Sequence, residues 1–380
     1  MSWPVNIKQV KKLQLEVSNY CNARCPACAR EKSITKDDKQ HIGINDTYVN
    51  LDTFKKWFDN GDFFWSLRLI DFCGNYDEPT TNPDLLDIIE WIYTSGKFSC
   101  QLQVNIATNG GTRNKDFWTK LGKLSAKYQY HKRRGGMIQR LNVIFGIDGL
   151  EDTNHLYRQN VNWKIAMTNA QAFINAGGRA RWDYIIFEHN EHQVEEAKAV
   201  SERMGFERFQ SKKTARFFST AKSKGKEDHQ AVNRKGKETQ KLAKPKDEKN
   251  VNSALKKEKE LVAKHGSMEH YYDVTDIKCK VAGPGNLYIS AEGYVLPCCW
   301  VGSRMYKWWH KDPKVEQVWQ FLDRANNTNA KEVGLENAIN SGLMQDIEQS
   351  WNIKGVNNGK LKVCAEKCGS GFDAFRAQYE

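Results

Sequence analysis

The feature that most restricts the fold is an alternation. Short apolar runs at 13–17, 67–72, 102–107, 141–147, 182–187 and 206–209 are separated by stretches with helical spacing at 51–60, 84–95, 115–128, 161–176 and 191–204. Leu85, Leu86, Ile88, Ile89 and Ile92 line one side of the second of these helices, and Gly177-Gly178 stops the fourth. Strands that alternate with helices pair in parallel through right-handed crossovers. The expectation is an α/β fold, a partial (β/α)6 TIM-like barrel, whose chemistry sits on loops after the strands' C-terminal ends.

One such loop directly follows the first strand. Cys21-Asn22-Ala23-Arg24-Cys25-Pro26-Ala27-Cys28 carries three cysteines with spacing C-x3-C-x2-C. Thiolates are soft ligands and suit an iron–sulfur cluster. A cubane has four irons, so three cysteines leave one iron open to a small molecule. A structural zinc site wants four ligands, usually from two close pairs, and stays open as the alternative.

The 380 residues suffice for one large and one smaller domain, and 39% hydrophobic residues with 12 Trp supply a core. No apolar run reaches membrane-spanning length. The start, Met1-Ser2-Trp3-Pro4, lacks a signal-peptide pattern, so a reducing cytoplasm is the expected compartment. Ten cysteines there argue for metal ligation over disulfides. The net charge of +12 is local: 211–268 holds 17 Lys+Arg against 7 Asp+Glu, so +10 belongs to that segment. It reads as a Lys-rich flexible insertion or linker between a barrel at 1–210 and a region at 269–380. A surface helix is expected at 252–265, with Leu255, Leu261 and Val262 as its apolar side.

The last region holds Cys279, Cys298, Cys299, Cys364 and Cys368. Leu287 and Ile289, then Tyr294 and Val295, flank Ala291-Glu292-Gly293 and predict a β-hairpin. A cysteine before the hairpin and one at its end come together, and Cys364-x3-Cys368 supplies two more thiolates from a terminal turn. Four thiolates saturate a cluster. A structural zinc at Cys279, Cys298, Cys364 and Cys368 is the alternative, and Cys299 is the spare. Cys73 and Cys100 read as packing residues. Trp300 and the Trp308-Trp309-His310 group read as core or a substrate shelf.

The cysteine loop resembles the radical SAM signature, and further motifs extend the resemblance. Gly74-Asn75-Tyr76-Asp77-Glu78-Pro79 with Asn82-Pro83-Asp84-Leu85 is similar to the family's Gly-Gly-Glu-type turn and its continuation, although the glycine pair itself is replaced. Thr108-Asn109-Gly110 resembles the family's third-strand end, and Gly146-Ile147-Asp148-Gly149 its fourth. The resemblance implies a catalytic 4Fe–4S cluster on Cys21, Cys25 and Cys28, whose open iron chelates S-adenosylmethionine. It implies cofactor binding by Gly74, Asn75, Tyr76, Asp77 and Glu78, with Asn109 near the cofactor. Asp148 would meet the ribose hydroxyls and Arg158 the cofactor carboxylate. Ala27 stands where relatives often carry an aromatic residue against adenine. The second cysteine set resembles a twitch or shortened SPASM domain with an auxiliary 4Fe–4S cluster.

The implied activity is reductive cleavage of S-adenosylmethionine to a 5′-deoxyadenosyl radical that abstracts hydrogen from substrate. A peptide or small metabolite is the expected substrate, and a flavodoxin or ferredoxin the expected electron donor. The short run before Cys21 has no room for a peptide-recognition domain, which argues against leader recognition in cis. Nucleic-acid modification rests only on 211–268, which lacks the interleaved aromatics of a single-strand platform. A non-catalytic zinc or iron–sulfur protein is the reading from another class.

Overall fold

The computed structural model describes residues 3–4, 6–26, 28, 47–58, 64–73, 75–129, 132–133, 136–137, 140–219, 221, 223–232, 238–305 and 313–380. Gly74, Ala27 and Trp308-Trp309-His310 lie outside the described residues.

Six parallel strands form in the expected order: β1 (Lys12–Leu15), β2 (Leu69–Phe72), β3 (Gln103–Thr108), β4 (Leu141–Gly146), β5 (Ala180–Ile186) and β6 (Arg208–Lys213). Helices α1 (Leu51–Phe58), α2 (Leu85–Thr94), α3 (Lys115–Lys127), α4 (Trp163–Asn175) and α5 (Val194–Met204) make the crossovers. Local chemistry sets their ends. Asn114 and Asn162 cap α3 and α4 by accepting from the Phe117 and Ile165 N–H groups, and Gly205 closes α5 at φ 86°.

Strand alternation sorts the side chains. Leu13, Ile70, Val104 and Val143 are fully buried and pack in one core with Ile88, Ile89, Leu121 and Phe173 of the helices. Each such residue contributes about 1.5–3 kcal/mol by leaving water. The other face carries a register-matched row, Gln14, Asp71, Asn105 and Asn142, across four strands. Within it Asn142 Nδ2 donates to Asn105 Oδ1 at 3.1 Å, while Asp71 pairs with Lys12.

Two departures from expectation concern the other segments. The hairpin predicted in the last region forms as β9 (Asn286–Ile289) and β10 (Val295–Leu296), and β9 pairs in parallel with β1. The sheet therefore has eight strands, in the order β10-β9-β1-β2-β3-β4-β5-β6. An open β1 edge leaves unpaired backbone groups, and β9 supplies their partners while Leu287 and Ile289 join the barrel's core.

The Lys-rich segment is folded over its described part. Strand β6 runs past 210 to Lys213, and a hairpin follows in β7 (Asp228–Val232) and β8 (Glu238–Ala243), then α6 (Ala254–His265) and α7 (Met268–Val274). A few apolar anchors suffice: Phe217 and Leu242 pack with Ala23 and Cys25, while Phe218, Ala254 and Leu261 pack with Phe372. Many of its lysines are ion-paired, including Lys241 with Asp228, Lys244 with Glu227 and Lys246 with Glu188. Helices α8 (Pro313–Arg324), α9 (Leu343–Ser350) and α10 (Lys362–Cys368) complete the elements used below. Among the described residues, no helix is long and apolar enough to cross a membrane.

Candidate active site

The cysteine loop leaves β1 and is tied to its neighbours by backbone and amide bonds. The Arg24 N–H donates to the Gln159 carbonyl at 2.8 Å, and Asn160 Nδ2 donates to the Asn22 carbonyl at 2.7 Å. Asn109, at the end of β3, donates from Nδ2 to Asn22 Oδ1 at 2.8 Å and lies 3.9 Å from Cys21 Sγ. Inside the loop, the Cys28 N–H donates to the Cys25 carbonyl at 2.9 Å. Cys21, Cys25 and Cys28 thus line one cleft of about 1390 Å³. Burial pushes the Cys21 thiol well above its usual range, and the nearby Glu78, Cys25 and Cys28 add to the effect.

The turn after β2 is bolted to the same place. Glu78 is buried; Oε1 accepts from Thr108 Oγ1 at 2.6 Å and Thr80 Oγ1 at 2.7 Å, and Oε2 accepts from the Asn109 N–H at 2.7 Å. Burial raises the pKa of Glu78, and these hydrogen bonds offset only part of the rise. Asn82 donates to the Val17 and Val49 carbonyls at 2.8 and 2.9 Å, so the Asn-Pro-Asp-Leu stretch pins the turn to the end of β1. The Asn75 N–H donates to Glu16 Oε1 at 2.7 Å, and the Tyr76 hydroxyl donates to the Ser303 carbonyl at 2.7 Å. Asp77 lines the cleft, and its buried carboxyl lies against the Ser18 and Val17 backbone N–H groups. Burial, then the charges of Glu16 and Glu78, push its pKa well up.

Asp148 and Arg158 divide their roles differently from expectation. Asp148 is fully buried and does not line the cleft. Its Oδ2 accepts from Arg158 Nε at 2.6 Å and its Oδ1 from the Ile185 N–H at 2.6 Å. With both oxygens engaged inside the fold, it orients Arg158, and Arg158 is the residue that lines the cleft. Gly146 makes room for it, since a Cβ there would meet Arg158 Nη2 at 2.5 Å. Burial works against the Arg158 charge, but Asp148 together with Cys25 and Tyr157 outweighs it and raises the pKa.

Several cleft residues were not singled out from the sequence. Asp183, on β5, is paired with Arg181 and Lys212. The alternation of β5 around Trp182 and Tyr184 was the available signal for it. Arg216 lines the cleft beside Tyr157. Its charge is favoured first by Tyr157 and also by Cys28 and Cys25, against burial. It lies in the Lys-rich segment, where one more cation carries no sequence signal. Cys73 lines this cleft instead of packing in the core, and Cys100 is exposed.

A second, smaller cavity is lined by Cys279, Cys298, Cys364 and Cys368. Cys298 follows β10, and Cys364 and Cys368 stand one turn apart on α10. The Lys278 N–H donates to the Cys368 carbonyl at 2.8 Å, which brings Cys279 alongside. A hydrogen bond from Cys368 pulls the Cys279 thiol below its usual pKa. Cys299 is not in this wall; its carbonyl accepts from Asn75 Nδ2 at 2.8 Å. Among the described residues, no three His, Cys, Asp or Glu side chains converge as ligands of a single ion.

No family model matches the chain. The tungsten-containing aldehyde ferredoxin oxidoreductase cofactor-modifying protein of Pyrococcus furiosus is 28% identical over 121 residues, covering 32% of this chain and 30% of that protein. The matched stretch is thus under a third of that relative's length. Among solved structures, Streptococcus suis SuiB bound to its precursor peptide SuiA has a TM-score of 0.47 at 12% identity, covering 100% of this chain and 77% of SuiB. The anSMEcpe protein with bound AdoMet has a TM-score of 0.43 at 11% identity, covering 76% and 71%. Escherichia coli coproporphyrinogen III oxidase (HemN), a radical SAM enzyme, has a TM-score of 0.40 at 11% identity, covering 75% and 64%.

The stretches that resemble radical SAM motifs lie after the C-terminal ends of the strands, where Cys21, Cys25, Cys28, Asn75, Tyr76, Asp77, Glu78, Asn109 and Arg158 line one cleft.

Proposed function

We propose that the chain is a radical SAM enzyme that acts on a peptide or small metabolite. The observation that carries this reading is the shared cleft: three thiolates on one loop face the strand-end turns that resemble the S-adenosylmethionine site. Cys21, Cys25 and Cys28 would hold a 4Fe–4S cluster, and soft thiolates fit that group. The donor set supports the fit, because all three thiols stand on one cleft wall. Bound there, the cluster and S-adenosylmethionine supply a 5′-deoxyadenosyl radical that takes a hydrogen atom from the substrate.

The chain's own residues bind, orient and exclude water. Glu78 and Asn109 lock the turn and the cysteine loop to the end of β3. Asp77 would present a carboxyl group and Arg158 a positive charge to the cofactor's amino acid end. The cleft continues past these residues toward β5 and β6, where substrate would lie beside the cofactor. Asp183 and Lys212 on the far strands face that space. The second cavity would hold an auxiliary 4Fe–4S cluster on Cys279, Cys298, Cys364 and Cys368. A flavodoxin or ferredoxin would deliver the electron.

The test is made on anaerobically purified, iron-reconstituted protein. Dithionite and S-adenosylmethionine are added and 5′-deoxyadenosine is followed in wild type and Cys25→Ala. Formation by wild type alone supports the reading. Zinc in place of iron, or no cleavage by an iron-loaded protein, overturns it.

A further inference from the structure

The second cavity has an unusual wall. Besides its four cysteines it is lined by Ile277, Val281, Val301, Ile347 and Val363, with Trp3, Trp300 and Trp351. Two of these indoles stand out. Trp3 Nε1 and Trp351 Nε1 are both buried; Trp3 Nε1 closes no hydrogen bond among the described residues, and the Trp351 N–H is directed at sulfur. Their rings lie 6.1 Å apart, so both donors serve the same small space. The Trp351 N–H donates to the Cys364 sulfur, one of the four cysteines of the wall.

A buried indole N–H ordinarily finds an acceptor, because leaving it unpaired forfeits its hydration. One indole of this cavity already donates to a cysteine sulfur, and the unpaired Trp3 donor on the same wall points to a further acceptor that belongs to whatever fills it. The wall offers sulfur. A cluster on four thiolates would add further sulfur acceptors, whereas the aliphatic part of the wall offers none.

We infer that Trp3 and Trp351 are positioning residues of the second cysteine cavity, whose indole N–H groups donate hydrogen bonds to the sulfurs of the cluster held there. This rests on the proposal that the cavity holds an iron–sulfur cluster. The hydrogen bonds have a functional consequence. Reduction adds negative charge to a cluster, and donors to its sulfurs stabilise the reduced form, so they raise its potential. The site also ties the N-terminal segment to α9 and α10, since Trp3 reaches it from the start of the chain and Trp351 follows α9.

The experiment uses the full chain, anaerobically reconstituted, with iron counted and EPR followed during a potentiometric titration. Trp3→Phe, Trp351→Phe and the double variant keep an aromatic ring and remove the donors. Cluster signals are separated by adding S-adenosylmethionine, which perturbs only the first cluster. The expected result is unchanged iron, a more negative midpoint for the second cluster in each variant, a larger shift in the double variant, and an unchanged first cluster.

Unchanged midpoints at full iron occupancy overturn the inference. If a variant does not fold or loads poorly, wild type labelled with ¹⁵N at the tryptophan indoles decides. Weak ¹⁵N coupling to the reduced second cluster is expected, and its absence overturns the inference. Wild type that loads only one cluster, or zinc in the second cavity, overturns the underlying cluster reading first.

Discussion

Asn75 donates a hydrogen bond from its side-chain amide to the Cys299 carbonyl, 2.8 Å away. Asn75 belongs to the turn that lines the first cleft, and Cys299 follows directly on Cys298 in the wall of the second cavity. One amide therefore joins the two cysteine sites. Asn75→Ala removes this bond and leaves a buried carbonyl less satisfied, at a cost of about 1 kcal/mol. Urea unfolding measures that loss. Deoxyadenosine formation should also fall while iron content holds, and an unchanged rate would show that the link has no role in cofactor binding.

Glu78 gathers three donors at 2.6–2.7 Å, from Thr80, Thr108 and Asn109. Glu78→Gln places an amide donor against at least one of them. Loss of a hydrogen bond to a charged group costs about 1.5–3 kcal/mol. The midpoint of denaturant unfolding should drop accordingly, and S-adenosylmethionine affinity should drop with it as the Asn109 end of the loop is released.

Glu16 sits fully buried beneath the turn, accepting from Tyr288 and from the Asn75 N–H. Burial, partly offset by those bonds, raises its pKa to about 8. A carboxyl raised in the folded state binds more protons folded than unfolded between about 4.5 and about 8. Its contribution to stability therefore falls as pH rises through that window, by at most about 1.4 kcal/mol per unit. Glu16→Gln should flatten this slope, matching wild type near pH 5 and exceeding it above pH 8. Urea midpoints across the range check the sign.

Arg216 lines the cleft close to Cys25 and Cys28. A buried cation there favours electron uptake by a cluster on those thiolates. Arg216→Leu should make the first cluster's midpoint more negative and slow deoxyadenosine formation. EPR-monitored titration against the unchanged second cluster is the measurement.

The four cysteines of the second cavity should behave alike. Cys279→Ala, Cys298→Ala, Cys364→Ala and Cys368→Ala should each remove about half of the roughly eight irons expected of two cubane clusters. Cys299→Ala and Cys100→Ala should retain all of it, since neither lines the cavity. Iron and sulfide analysis distinguishes the two groups.

The six-fold alternation, the Cys21–Cys28 spacing and the strand-end motifs were legible because each depends on neighbours in the chain. Period-2 and helical patterns, cap residues such as Asn114 and a tight cysteine loop are local properties, and β1–β6 formed where they predicted. Tertiary structure decided the relations that depend on residues far apart in sequence. Asp148 kept its strand-end position, but the Ile185 N–H and Arg158 occupy its carboxylate, so the arginine faces the cleft instead. The hairpin formed as the pattern predicted, yet only the register of Leu13 with Leu287 shows that it extends the main sheet. Arg216 and Leu242 are polar-segment residues by sequence and site residues by packing, because a few buried contacts order a chain whose composition reads as solvated. Trp3 and Trp351 are 348 positions apart and meet only in the fold.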